Sequence, residues 1–136
     1  QPNCAIYDEE KDIFYICGTA EDGIQGELCI FSGEGELLRL CQTGSVPVDM
    51  ALYREQLLIS CSGQDVIALH MRGDGRTLGW IKGPVMPDRL AICPQTGRLY
   101  VSSQLEDIVE IIDINGRKSL YCLKTAREPS AIIIYP

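Results

Sequence analysis

The sequence predicts an all-β fold made of β-propeller blades, in which each blade is a four-stranded antiparallel meander. A motif that starts with proline and runs into an apolar stretch occurs four times, at Pro2, Pro47, Pro87 and Pro129. A second motif, a turn ending in glycine, recurs in phase with the first, at Gly35, Gly75 and Gly116. The spacings of 45, 40 and 42 residues between the prolines match the length of a propeller blade.

The two landmarks divide the chain into three repeats and a remainder. The repeats cover residues 2–46, 47–86 and 87–128, and residues 129–136 are predicted to form the first strand of a further blade. Residues 1–136 therefore form a single partial propeller domain. Closed propellers have about four to eight blades. Two arrangements would close the ring: two copies of the chain in a homodimeric six-bladed ring, or further blades on a longer chain.

Within each repeat, four short apolar runs are bounded by Gly, Pro and Asp, the pattern of short strands. The runs of the second repeat are 49–53, 57–61, 66–70 and 77–81. Those of the third repeat are 89–93, 98–103, 108–112 and 119–123. The dipeptides before the fourth runs, such as Asp74-Gly75 and Asn115-Gly116, accept the positive φ of a two-residue hairpin turn. A small sandwich or barrel is the structural alternative, since it also uses short, regularly spaced strands.

Composition limits the kinds of partner. The 136 residues carry a formal net charge of −7, which disfavours nucleic acid because the overall field repels phosphate. The longest apolar run, 132–135, is far shorter than the ~20 residues of a membrane span, so no membrane association is expected.

The seven cysteines favour a reducing compartment. Their number is odd, no pair has C-x-x-C spacing, and most lie inside apolar runs, where free cysteine serves as a small buried side chain. This predicts a cytoplasmic protein. An extracellular location is the alternative if the chain belongs to a YWTD-type protein.

The third repeat carries a family resemblance. The stretch "PDRLAICPQTGRLYVSSQLEDIVEIIDINGR" resembles NHL repeats and the related YWTD and SMP30/lactonase-type propellers, and the likeness extends over nearly the whole chain in three copies. The second strands end in "YICG", "LISCS" and "YVSS" without the acidic residue that the YWTD pattern has and the NHL pattern often has. What remains is similar to the NHL-type propellers found as ligand-binding modules of tripartite-motif proteins.

The resemblance implies a binding surface at one face of the propeller. In such blades the loops entering the first strand and joining the second strand to the third share one face, where related propellers bind their partners. Charged residues of both signs fall in these loops and are the candidate partner-binding residues: Glu21, Asp22, Asp65, Lys82, Arg89, Glu106, Asp107, Lys124 and Arg127. A mixed-charge rim suits a protein or peptide ligand.

The sequence contains no catalytic motif and predicts no cofactor. The first hypothesis is therefore a non-enzymatic interaction module. The second is part of a calcium-dependent lactonase-type hydrolase, because Glu21, Asp65 and Glu106 occupy comparable loops and could supply oxygen ligands. The third is an RNA-binding NHL propeller. His70 is expected to be a partly buried strand residue, and residues 8–12, "DEEKD", a solvated turn.

Overall fold

The computed structural model describes residues 1–135 and contains twelve strands in three four-stranded antiparallel sheets. Blade 1 consists of β1 (Pro2–Asp8), β2 (Ile13–Thr19), β3 (Gly26–Ser32) and β4 (Leu37–Thr43). Blade 2 consists of β5 (Pro47–Tyr53), β6 (Gln56–Cys61), β7 (Val66–Met71) and β8 (Thr77–Lys82). Blade 3 consists of β9 (Pro87–Cys93), β10 (Arg98–Ser103), β11 (Ile108–Asp113) and β12 (Lys118–Lys124).

The predicted fold class is confirmed. Each sheet is a meander whose strands lie in chain order, and the first strand of blade 2 contacts the first strands of both neighbours. The first strands β1, β5 and β9 are therefore adjacent, as the innermost strands of propeller blades are. No part of residues 1–135 forms a helix with the length and apolarity needed to cross a membrane.

The turn between the third and fourth strands lies where the sequence predicts it, but its predicted type is wrong. The connections span four or five residues rather than two: 33–36, 72–76 and 114–117. Positive φ falls on Gly35 (89°), Gly75 (76°) and Arg117 (52°), so in the third copy the residue after the glycine takes the left-handed conformation. A register shift follows each turn, so each hairpin combines a longer loop with an irregular ladder.

Two apolar cores lie between the blades. Side chains of blades 1 and 2 form the first, which includes Tyr15, Leu28, Leu57 and Ile59. Side chains of blades 2 and 3 form the second, which includes Leu58, Leu69, Leu99 and Ile112. Successive residues of β6 point to opposite faces, so Leu57 enters one core and Leu58 the other. The central strands of blade 2 are consequently buried on both sides.

The expectation of a solvated turn at residues 8–12 is wrong at its first residue. Asp8 is fully buried, and its carboxylate accepts hydrogen bonds from Arg72 of blade 2, from Nε at 2.5 Å and from Nη2 at 2.6 Å. Arg72 also donates to the carbonyl of Arg54, and the hydroxyl of Tyr15 accepts a bond from the backbone N–H of Gly73. A buried ion pair with backbone support therefore joins blades 1 and 2.

The segment after β12 repeats the lead-in to the earlier blades. The residues before the prolines at 47, 87 and 129 all have left-handed backbone angles: Val46 (51°), Met86 (47°) and Glu128 (53°). Residues 129–135 pair with no strand, yet Ile132 and Ile134 are half-buried while Ile133 and Tyr135 are 72% and 83% exposed. This alternation is that of an extended strand with one covered face. A first strand over 129–136 remains a prediction, and Pro136 lies outside the described residues.

Candidate interaction face

The loops that the sequence places on one face do meet in the structure. At three equivalent places, a backbone hydrogen bond joins a loop between a second and a third strand to the loop before β5, to the loop before β9 or to the segment after β12. These bonds run from Gly63 N–H to Ser45 O, from Gly83 N–H to Asp65 O and from Thr125 N–H to Asp107 O. We call this surface the loop face; it consists of residues 20–25, 44–46, 62–65, 83–86, 104–107 and 125–128. Its loops are fixed by repeated backbone contacts.

A cavity of about 650 Å³ opens beside the loops of blades 2 and 3. Apolar and charged side chains line it together: Val48, Ser62, Met86, Pro87, Asp88, Arg89, Gln104, Leu105, Asp107, Arg127 and Glu128. Three of the nine candidate residues, Arg89, Asp107 and Arg127, are among them. A smaller hollow of about 560 Å³ on blade 1 includes Glu21 with Asn3, Thr19 and Val46. The structure thus separates Glu21 from the candidates of blade 3.

Two of the candidate acids organise the loops that precede the first strands. Asp65 and Asp107 both adopt a left-handed backbone, with φ of 55° and 54°. Oδ1 of Asp65 accepts a hydrogen bond from the N–H of Met86, and Oδ1 of Asp107 accepts one from Glu128, each at 2.9 Å. One oxygen of each carboxylate is therefore engaged by backbone, which limits its freedom to turn towards a ligand.

Asp22 and Glu106 also bond to backbone. Oδ1 of Asp22 accepts hydrogen bonds from the N–H groups of Ile24 (2.8 Å) and Gln25 (2.9 Å), and these bonds lower the pKa of the Asp22 carboxyl. Oε1 of Glu106 accepts a bond from the N–H of Val85 at 2.8 Å. Asp22 therefore shapes its own loop, whereas Asp65, Glu106 and Asp107 each bond to the backbone of another loop, a use that sequence spacing alone does not reveal.

The candidate cations differ in their position. Arg89 lies near the start of β9, with its Nε 3.8 Å from Oδ1 of Asp88, and Arg127 lines the same cavity from the lead-in after β12. Lys82 and Lys124 are the last residues of β8 and β12, at equivalent outer positions, and both are exposed. The two arginines line the cavity, whereas the two lysines end the outer strands and are not part of its lining.

Two residues that the sequence reasoning missed, Cys4 and Asp49, lie on the innermost strands. They are the third residues of β1 and β5, and the candidate Arg89 is the third residue of β9. Oδ2 of Asp49 accepts a hydrogen bond from the N–H of Leu90 in the next blade, at 2.9 Å. Aligning the repeats position by position would have found this row, because the residue two places after each proline is polar or reactive in all three.

His70 is fully buried rather than partly buried. Its Nδ1 lies 2.8 Å from the carbonyl oxygen of Gly75 and its Nε2 lies 2.9 Å from Oγ1 of Thr43, and burial lowers the pKa of the imidazole. Within residues 1–135, no group of three or more His, Cys, Asp and Glu side chains is arranged to hold a metal ion. Glu21, Asp65 and Glu106 are therefore not brought together as a ligand set.

No family model matches the sequence. No curated protein matches it either. Solved structures do, at low identity. The fold superposes on a candidate 6-phosphogluconolactonase of Bacteroides fragilis NCTC 9343 with a TM-score of 0.78 and 18% identity, over 94% of this chain and 40% of that one. It superposes on the WD40 repeats of RRP9 with a TM-score of 0.77 and 17% identity, over 93% of this chain and 39% of that one.

A third match is a chain of the nidogen–laminin complex, with a TM-score of 0.71 and 15% identity, over 90% of this chain and 47% of that one. The chain thus spans about two fifths to a half of the length of the structures it resembles. At these identities the likeness shows the fold alone. The chain has the architecture of a partial β-propeller, similar to WD40-type, YWTD-type and lactonase-like propellers.

Proposed function

We propose that this chain is part of an NHL-type β-propeller that acts as a non-enzymatic interaction module, binding a protein or peptide segment on its loop face. The observation that carries the proposal is the cavity on this face. It combines exposed apolar side chains, Met86 (50% exposed) and Leu105 (65% exposed), with the charged side chains of Arg89, Asp107 and Arg127.

The composition of the cavity suits a peptide side chain. Methionine and arginine are enriched in protein interfaces, and most of the binding energy at an interface comes from a few anchors that fill well-packed pockets. A volume of about 650 Å³ has room for one or two side chains of a bound segment. The hydrogen-bonded loops hold the cavity in shape before binding, which lowers the entropic cost of association.

Completion of the ring is part of the proposal. Two copies of the chain in a six-bladed homodimeric ring, or further blades on a longer chain, would cover the open faces of blades 1 and 3. Multi-angle light scattering separates these arrangements, because the first predicts a dimer of the 136-residue chain.

We also propose a cytoplasmic location, because the free thiols of Cys17 and Cys61 serve as buried core side chains.

Selection of peptides from a randomised display library on the immobilised chain tests the binding proposal. Peptides that bind the loop face should lose at least about tenfold in affinity when Leu105→Ser or Arg127→Ala is introduced. Leu38→Ser, on the outer strand of blade 1, is the matched control and should leave the affinity unchanged. Peptides that respond equally to Leu38→Ser, or to neither loop-face variant, would contradict the proposal.

Two further measurements address the alternative functions. A rise in unfolding temperature on adding calcium would favour the hydrolase hypothesis, because a ligand of the native state raises stability by mass action. Affinity for single-stranded RNA that falls steeply with salt would favour the RNA hypothesis. The interaction proposal predicts neither result.

A further inference from the structure

Cys4 and Cys17 face each other across the first two strands of blade 1. Their Cα atoms are direct partners in the antiparallel ladder of β1 and β2, and a register shift lies immediately before Cys4. Directly opposed residues have Cβ atoms about 4.5–5.5 Å apart, and a disulfide needs about 3.5–4.5 Å. Cys17 belongs to the core between blades 1 and 2, and Cys4 packs against that core from the same face of the sheet. A small local adjustment would therefore allow an S–S bond.

The environments of the two thiols are unequal. Cys4 is half-buried on the innermost strand, whereas Cys17 is fully buried with its Sγ 3.3 Å from Sδ of Met50. The neighbouring Cys17 thiol lowers the pKa of Cys4; burial and the charge of Asp49 oppose this effect, and Arg89 adds to it. The neighbouring Cys4 thiol and burial raise the pKa of Cys17. Cys4 is therefore the accessible nucleophile and Cys17 the buried thiol that keeps its proton.

Among residues 1–135, no other cysteine has a cysteine directly opposite. Cys29 is paired with Ile16 and Leu40, Cys41 with Leu28, Cys61 with Pro47 and Val66, Cys93 with Arg98, and Cys122 with Glu110. The pKa of Cys93 is also lowered, by hydrogen bonds with Thr96, but the residue across the ladder offers no thiol. Cys93 is thus a matched reference: its pKa is also lowered, but no thiol lies opposite it in the ladder.

We propose that Cys4 and Cys17 are a redox-active pair, which a hydroperoxide converts into an intrachain disulfide. The Cys4 sulfur takes the terminal oxygen of the hydroperoxide; the O–O bond breaks, and an alcohol leaves, or water when the oxidant is hydrogen peroxide. Cys4 is then a sulfenic acid. The Cys17 sulfur attacks the Cys4 sulfur, the S–O bond breaks, and the hydroxyl group leaves as water with the proton of Cys17. Two thiols are oxidised and one hydroperoxide is reduced.

The sequence offers a clean way to detect this disulfide. Trypsin cleaves after Lys11, so Cys4 is released in peptide 1–11 and Cys17 in peptide 12–39, which only a disulfide can hold together. Peptide 12–39 also contains Cys29, so the Cys29→Ser chain is used as the background. The reduced chain is treated with hydrogen peroxide, blocked with N-ethylmaleimide, digested without reductant and examined by mass spectrometry.

The expected product is peptide 1–11 joined to peptide 12–39, lighter by two hydrogen atoms than their sum and separated by dithiothreitol. Cys93→Ser should leave the yield unchanged. In the Cys17→Ala chain, dimedone should trap a sulfenic acid on Cys4 that does not accumulate when Cys17 is present. Should Cys17→Ala fail to fold, Cys4→Ser serves instead, and peptide 12–39 should then be recovered with an N-ethylmaleimide-blocked Cys17.

Two results would overturn the proposal. The first is oxidation of the Cys29→Ser chain that leaves peptides 1–11 and 12–39 separate. The second is dimedone labelling of Cys4 that is as extensive with Cys17 present as without it, or that is no greater than labelling of the exposed, unpartnered Cys122. These readouts do not depend on peptide binding, so they can fail independently of the proposed function.

Discussion

Replacement of Asp8 by asparagine should destabilise the chain strongly, because it breaks the buried ion pair between blades 1 and 2. The isosteric change keeps the shape of the side chain but leaves the Arg72 guanidinium, only 11% exposed, without its carboxylate. Breaking a buried pair by removing one partner costs about 3–5 kcal/mol. Glu10 lies 3.2 Å from Nη2 of Arg72 and survives as an exposed partner worth up to about 1 kcal/mol. We therefore expect a loss of about 3 kcal/mol.

Urea unfolding followed by far-UV circular dichroism measures this loss at pH 7. Arg76→Gln is the matched control, because Arg76 forms an exposed ion pair with Asp74 at 4.0 Å, and its loss should change stability by less than about 0.5 kcal/mol. A cycle with Arg72→Gln and the double variant should give a coupling energy of about 1–3 kcal/mol.

The pH dependence provides an independent check. The hydrogen bonds from Arg72 hold the pKa of the Asp8 carboxyl below its ordinary value. The unfolded chain therefore takes up this proton first as the pH falls, so the stabilisation is complete above about pH 4 and is lost as the pH falls through the lower folded pKa. The stability gap between wild type and Asp8→Asn should narrow below about pH 4. A gap that is independent of pH, or no larger than that of Arg76→Gln, would refute the reasoning.

Three more outcomes are expected. Burial lowers the pKa of His70, so stability should fall as the pH drops below about 6.5, where the imidazole of the unfolded chain is protonated. Urea unfolding at pH 7.5 and 5.5 should show this fall, and His70→Gln should abolish it. Gly75→Ala would place Cβ 2.7 Å from an isoleucine side chain and should lower the free energy of unfolding by more than about 2 kcal/mol. Gly35→Ala, whose Cβ would have nothing within 4 Å, should lower it by only about 1 kcal/mol, and equal unfolding midpoints for the two variants would contradict this. Asp107→Ala removes the acceptor for the N–H of Glu128 and should speed limited proteolysis after residue 124 at least severalfold. Asp107→Asn keeps an acceptor oxygen and should speed cleavage less than Asp107→Ala does, whereas an unchanged cleavage rate in Asp107→Ala would contradict the prediction.

The blades could be predicted well because the residues that bound the strands, such as proline and glycine, act through their own local backbone chemistry. Pro47 and Pro87 are the first residues of β5 and β9, where a missing N–H interrupts no ladder bond. The runs between the landmarks became strands with ends shifted by at most two residues. Turn type was less predictable, because in the third copy Arg117 rather than Gly116 has the positive φ.

The ion pair and the loop acids could not have been read from the sequence. Asp8 and Arg72 are 64 residues apart, and Asp8 opens a run of charges that looks like a solvated turn. Only the packing of two blades brings the pair together. Asp65 and Asp107 were identified as loop residues, but their bonds to backbone depend on left-handed angles that non-glycine residues rarely adopt. Aspartate is enriched among the residues that adopt this conformation, but which backbone N–H each carboxylate meets depends on how the loops pack.

The two cores also determine the order in which the molecule can come apart. Blade 2 belongs to both cores, whereas blades 1 and 3 each belong to one, so the described chain is a one-dimensional stack with a single interior member. Opening an end blade breaks one interface, while exposing β6 or β7 of the middle blade breaks two. Amide hydrogen exchange should therefore be slowest in β6 and β7 and faster in the end blades, where partial unfolding costs less free energy. Addition of a blade at each end would give blades 1 and 3 a second interface and should make amide hydrogen exchange similar in the three sheets.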